Sequence, residues 1–130
     1  MVGVVIVSHS QKVAEGIREM ALQMARPGQQ IIAAGGMDNG SIGTDVIKVS
    51  EAIMAANTGD GVVVMVDLGS AVMTADTALE LLDEEVRDKV KIADAPILEG
   101  AISAVVEASL GSNLESVVET AQGARNFKKF

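Results

Sequence analysis

Two runs of β-branched residues carry no charged or polar side chain: residues 2–7, Val-Gly-Val-Val-Ile-Val, and residues 62–66, Val-Val-Val-Met-Val. A strand with one face in water alternates polar with apolar side chains. These runs do not alternate, so each fits a strand covered on both faces, as in a parallel sheet between helices. Between them the apolar period lengthens to three and four residues. Val13, Ile17, Met20, Ala21 and Met24 form one helix face, with Ser10 as N-cap and Arg26-Pro27-Gly28 as the stop. Residues 30–34 read as a short second strand. A second helix is expected over 45–57, with Val46, Ile47, Val49, Ile53 and Met54 on its apolar face, and a third over 71–82. A fourth strand over 89–93 carries two lysines, which suits a sheet edge. A fourth helix is expected over 98–110. Ser112-Asn113-Leu114-Glu115 matches a capping box that opens a fifth, and the basic tail from Arg125 is expected to fray. The expected fold is α/β: a doubly wound, mainly parallel four-stranded sheet of order 2-1-3-4, with helices on both faces and one domain over 1–130.

Composition narrows the functional classes. The formal net charge is −8, which repels phosphate backbones, and two Phe with no Trp or Tyr leave few rings for base stacking. Nucleic acid is therefore not an expected partner. An acidic surface favours basic protein partners, mainly through association rate. Cysteine is absent, which removes disulfides, thiol catalysis and thiolate metal sites. The run at 2–7 is too short to cross a bilayer and no basic segment precedes it, so a cytoplasmic protein without membrane association is expected.

In a parallel α/β sheet, chemistry collects at the carboxyl ends of the strands. His9, the only histidine, follows the first strand and precedes a helix. That placement alone leaves it balanced between a solvated loop residue and a functional one. Asp67 ends the third strand, adjacent to the first in the expected order. Its carboxylate could hold one imidazole nitrogen, fix the tautomer and leave the other nitrogen as nucleophile; equally, Asp67 could merely cap the next helix. Two glycine-containing segments, Gly35-Gly36 at the start of the ten-residue loop 35–44 and Asp67-Leu68-Gly69-Ser70, would present backbone N–H groups on the same rim, with Gly36, Gly69 and Ser70 as candidate phosphate-binding residues. There is no Walker lysine motif, no Gly-x-Gly-x-x-Gly after the first strand and no Arg-His-Gly triplet. With one His and no Cys, no metal site is expected. One nucleophile, one orienting acid and phosphate-binding backbone, without a clear activator of water, suit a phosphoryl carrier. A non-catalytic regulatory α/β domain is the alternative from another class. A receiver domain would need acids after the first strand, where Ser8-His9-Ser10 stands.

Residues 2–7, Ser8-His9-Ser10 and Ala14 resemble the IIA domains of the mannose family of the bacterial phosphotransferase system. The segment from Gly35 to Thr44, Gly-Gly-Met-Asp-Asn-Gly-Ser-Ile-Gly-Thr, and Asp67-Leu68-Gly69-Ser70-Ala71 resemble one branch of it, the DhaM phosphotransferase subunits of dihydroxyacetone kinase. The resemblance spans essentially the whole chain. It implies that phospho-HPr, charged from phosphoenolpyruvate, phosphorylates His9. ADP bound on the ADP-binding kinase subunit would then take the phosphoryl group, and a dihydroxyacetone-binding subunit would be served indirectly. On this reading ADP and Mg belong to the partner, the chain itself binds no cofactor, and Asp67 orients His9 through Nδ1–H. The sugar-transporting branch, which passes phosphate to a IIB protein, carries a longer Trp- and Pro-containing segment after the Asp. This chain has only Gly69-Ser70-Ala71 there. Some relatives carry fused downstream carrier domains; here HPr is expected to come separately. A mean hydropathy of +0.34 on a small chain, together with the resemblance, leads to an expected homodimer.

Overall fold

A computed structural model describes residues 1–130. Four strands, β1 (Gly3–Ser8), β2 (Ile31–Gly35), β3 (Val62–Val66) and β4 (Val90–Ile92), form one sheet in the order β2-β1-β3-β4, and every pairing is parallel. The two long runs form the two central strands, with Val2 just ahead of β1, and every residue of them is buried, which is why neither alternates.

The pleat sends successive side chains to opposite faces. Val4 and Ile6 of β1, with Val63 and Met65 of β3, meet α1 (Gln11–Leu22), α5 (Ile97–Ser109) and α6 (Leu114–Gly123). Val5 and Val7, with Val62, Val64 and Val66, meet α2 (Val46–Ala56) and α3 (Gly69–Glu80). Burying each of these apolar side chains contributes about 1.5–3 kcal/mol, so the two central strands anchor both cores.

Several expected details change. Helix α1 packs through Ala14, Ile17 and Ala21, while Val13, Met20 and Met24 of the expected face are about half exposed. Alanine lets the helix lie close to the sheet, so the larger side chains flanking that narrow stripe ride outside. Ile47 and Met54 of α2 are exposed for the same reason, since Val49, Ala52, Ile53 and Ala56 make the contact. Helix α3 starts two residues earlier than expected, and a one-turn helix α4 (Glu84–Arg87), absent from the sequence reading, precedes β4. The capping box is not formed as read. Asn113, not Ser112, caps α6 by accepting from the Ser116 N–H, while the Ser112 hydroxyl donates to Glu107. The tail is tied down in part by ion pairs from Arg125 to Asp94 at 3.0 Å and from Lys129 to Glu99 at 3.5 Å.

Candidate active site

Strands β1 and β3 are neighbours, with Val7 opposite Val66. Continuing that register by one residue sets Ser8 beside Asp67 on the carboxyl rim. Ser10 then caps α1 by accepting from the Val13 N–H at 3.2 Å, which turns the chain at His9 and leaves the imidazole on the rim.

Four hydrogen bonds converge on Asp67. Its Oδ1 accepts from His9 Nδ1 at 2.9 Å and from the Leu68 N–H at 2.7 Å. Its Oδ2 accepts from the His9 backbone N–H and the Ser8 hydroxyl, both at 2.9 Å. Burial pushes the carboxyl up, but the bonds from His9, Ser8 and Leu68 outweigh it and hold Asp67 below the usual carboxylate range. An ionised carboxylate only accepts, so the proton of the ring contact belongs on Nδ1 and the lone pair on Nε2. The Ser70 hydroxyl lies 2.6 Å from Nε2 and, with that tautomer, donates to it. Helix α3 takes Leu68 as N-cap without a side-chain cap bond, and of that turn Asp67 reaches only the Leu68 N–H.

Gly69 and Ser70 are the first two residues of α3 and are exposed. Their N–H groups have no acceptor within the helix and lie at its positive end. Gly36 does not join them. It has φ +72°, which favours glycine, and its N–H donates to the Ser8 carbonyl at 3.0 Å. The expected offer of that N–H to a phosphate is corrected accordingly: a donor engaged inside the fold is not free for a ligand. The structure therefore brings His9, Asp67 and Ser70 into contact, sets Gly69 next to Ser70 at the start of α3, and ties Gly36 to the Ser8 backbone. No group of three or more His, Cys, Asp or Glu side chains is placed to hold a metal ion, and no helix is long and apolar enough to cross a membrane.

One participant was not read from the sequence. Ser8 is buried, donates to Asp67 and accepts from the Ser10 N–H at 3.1 Å. The available signal was a hydroxyl closing an otherwise apolar strand next to the only histidine.

The central rim of this parallel sheet thus carries an imidazole held by a carboxylate on one nitrogen and met by a hydroxyl of the first turn of α3 on the other. The chain belongs to the EIIA-man family, PTS system fructose IIA component, which matches residues 3–118. It is 38% identical to the phosphoryl donor subunit DhaM of PEP-dependent dihydroxyacetone kinase 2 from Listeria innocua, over 92% of this chain and 95% of that one. It is 43% identical to the corresponding DhaM of Klebsiella michiganensis over 99% of this chain, and spans about 28% of that relative's length. The DhaM of Escherichia coli is likewise 43% identical, with 28% of its length covered. Among solved structures, a crystal structure of a protein of unknown function superposes with a TM-score of 0.85 at 30% identity, covering 100% of this chain and 99% of that one. The phosphotransferase component EIIA of Streptococcus agalactiae, at 17% identity and a TM-score of 0.68 over 95% of this chain and 92% of its own, shares the fold.

Proposed function

We propose that the chain is the phosphoryl carrier of a PEP-dependent dihydroxyacetone kinase. His9 takes a phosphoryl group from phospho-HPr on Nε2 and delivers it to ADP held by the ADP-binding kinase subunit. That subunit's ATP then serves the dihydroxyacetone-binding subunit. The observation carrying this reading is the division of the imidazole: Nδ1 is bonded to Asp67, while Nε2 is met only by a hydroxyl that can rotate away.

In the charging step the Nε2 lone pair attacks phosphorus and the donor's nitrogen–phosphorus bond breaks. Positive charge grows on the His9 ring, and Asp67 stabilises it through Nδ1–H without taking the proton. The Ser70 O–H leaves Nε2 and turns to a phosphoryl oxygen, joined by the N–H groups of Gly69 and Ser70 at the helix terminus. The reverse geometry serves delivery, so catalysis is largely positioning and charge stabilisation, with the metal ion on the nucleotide-bearing partner.

Three relatives named DhaM support the choice of acceptor, as does the short segment Gly69-Ser70-Ala71, which leaves His9 approachable. The exposed Met20, Met24 and Leu110 add apolar surface consistent with a homodimer in the cytoplasm; sedimentation at micromolar concentration should give a dimer, and a monomer would contradict it. The acceptor is tested by mixing phosphorylated protein with free ADP, with the ADP-loaded kinase subunit and with a mannose-type IIB protein. Rapid loss of label only to the ADP-loaded subunit is expected. Discharge to the IIB protein at an equal or faster rate would overturn the reading in favour of sugar transport.

A further inference from the structure

The loop between β2 and α2, residues 36–44, reads from its composition as a phosphate cradle, yet several of its backbone donors are engaged within the fold. Gly36 N–H donates to the Ser8 carbonyl at 3.0 Å, Met37 N–H to Ser41 at 2.9 Å, Gly40 N–H to Met37 at 2.9 Å, and Gly43 N–H to the carbonyl of His9 itself at 2.8 Å. Two of these bonds grip the backbone that carries the nucleophile, one at each of the two peptide links that flank His9.

The loop is itself anchored at both ends. At its start, the half-buried Lys48 of α2 donates from Nζ to the carbonyls of Gly35 at 3.1 Å and Met37 at 3.4 Å. At its end, the Thr44 and Thr74 hydroxyls are hydrogen-bonded at 2.7 Å. Thr74 lies one helical turn beyond Ser70 on α3. The loop thereby links the backbone of His9 to the helix whose first turn contacts Nε2.

Nucleophilic attack is sensitive to errors of an ångström or less, and a loop residue is held no better than its backbone. We propose that residues 36–44 form a splint for His9, and that Lys48 and the Thr44–Thr74 hydroxyl pair are positioning residues for phosphoryl transfer. None of the three touches the imidazole. Lys48 fixes the loop against the carboxyl end of β2, and the threonine pair fixes it against α3, so together they set the distance and angle between Nε2 and the α3 terminus. The ammonium group is the anchor better suited to this role, because one cation satisfies the last carbonyl of β2 and a carbonyl of the loop at once. The inference rests on His9 as the phosphoryl-accepting residue.

The test uses the full chain and four variants: Lys48→Met, Lys48→Arg, Thr74→Val and Thr74→Ser. Two readouts are taken, the His9 ring nitrogen and proton shifts by NMR, and the kinetics of phosphoryl acceptance from phospho-HPr. Lys48→Met and Thr74→Val should each lower kcat about tenfold with KM for phospho-HPr nearly unchanged, since misplacement acts on the transition state rather than on docking. The same variants should shift or broaden the Nδ1–H signal. Lys48→Arg and Thr74→Ser, which restore the donors, should recover most of both readouts. Kinetics and ring shifts equal to wild type in Lys48→Met and Thr74→Val would overturn the proposal, as would losses that the conservative variants do not recover. Should Lys48→Met fail to fold, Thr74→Val decides by the same criteria. The ring shifts need no phosphoryl donor. Shifts that respond while no variant, nor wild type, accepts phosphate would leave the splint standing and refute the carrier reading instead.

Discussion

The segments 35–44 and 67–71 both carry glycine, both follow a strand and both lie along one rim, yet their backbone donors do opposite things. In the longer one, N–H groups of Gly36 and Gly43 hold the carbonyls of Ser8 and His9. In the shorter one, Gly69 and Ser70 are exposed and open α3, where their N–H groups have no acceptor within the helix, and the Ser70 hydroxyl meets Nε2. Glycine reports that a backbone needs a positive φ or a close neighbour; it does not report where the N–H points. At Gly35 the reason is contact, because a Cβ there would come within 2.7 Å of the Ala14 methyl. At Gly36 it is the left-handed conformation.

That contrast can be broken by substitution. The largest effect should come from the shorter segment. Asp67→Asn keeps the shape but replaces a double acceptor with an amide, so it can favour the wrong imidazole tautomer. Phosphoryl acceptance should fall about a hundredfold or more while circular dichroism stays native. A rate within a few-fold of wild type would remove Asp67 from the mechanism. Ser70→Ala should cost about tenfold in transfer rate and almost nothing in stability, because the hydroxyl is exposed and its ring contact is replaceable by water. An unchanged rate would assign the phosphoryl contact to backbone N–H groups alone.

The longer segment should respond in stability instead. Gly36→Ala forces a side chain into a positive φ with neighbours 3.3 Å away, and should cost about 1–2 kcal/mol in denaturant unfolding. Transfer per folded molecule should fall less than in Asp67→Asn. A larger loss of transfer than of stability would make Gly36 a phosphate ligand after all. The smallest effect is in pH. The carboxyl of Asp67 is held below its ordinary value of about 3.9, so the stability it contributes is present above that pH and lost as pH falls through the folded value. Acid titrations of unfolding free energy for wild type and Asp67→Asn should run parallel above about pH 5 and converge below about pH 4. Parallel curves down to pH 2 would contradict the network drawn around Asp67.

Legibility in the sequence followed the strength of the physical constraint. The central strands, their burial on both faces and the edge position of β4 were readable, because a run such as 62–66 has few other ways to fold. The order β2-β1-β3-β4 came with the doubly wound pattern, and it was enough to set His9 beside Asp67. Helix faces were read too broadly. Hydropathy ranks Val13 and Met20 above Ala14, yet alanine is what lets α1 approach the sheet. The single turn α4 has too few residues for a periodic signal. Nothing local in the sequence marks the contact of Ser8 with Asp67 across 59 residues, or those of Lys48 with Gly35 and Met37 across 13 and 11.

The central claim is that His9 carries the phosphoryl group on Nε2. Incubation of the nitrogen-15-labelled protein with phosphoenolpyruvate, enzyme I and HPr, followed by phosphorus–nitrogen correlation NMR, tests it directly. One phosphate per chain is expected, stable to base and lost in acid, coupled to Nε2 while the Nδ1–H to Asp67 persists, with no label in His9→Ala. Coupling to Nδ1, an acid-stable adduct or labelling of His9→Ala would contradict the account.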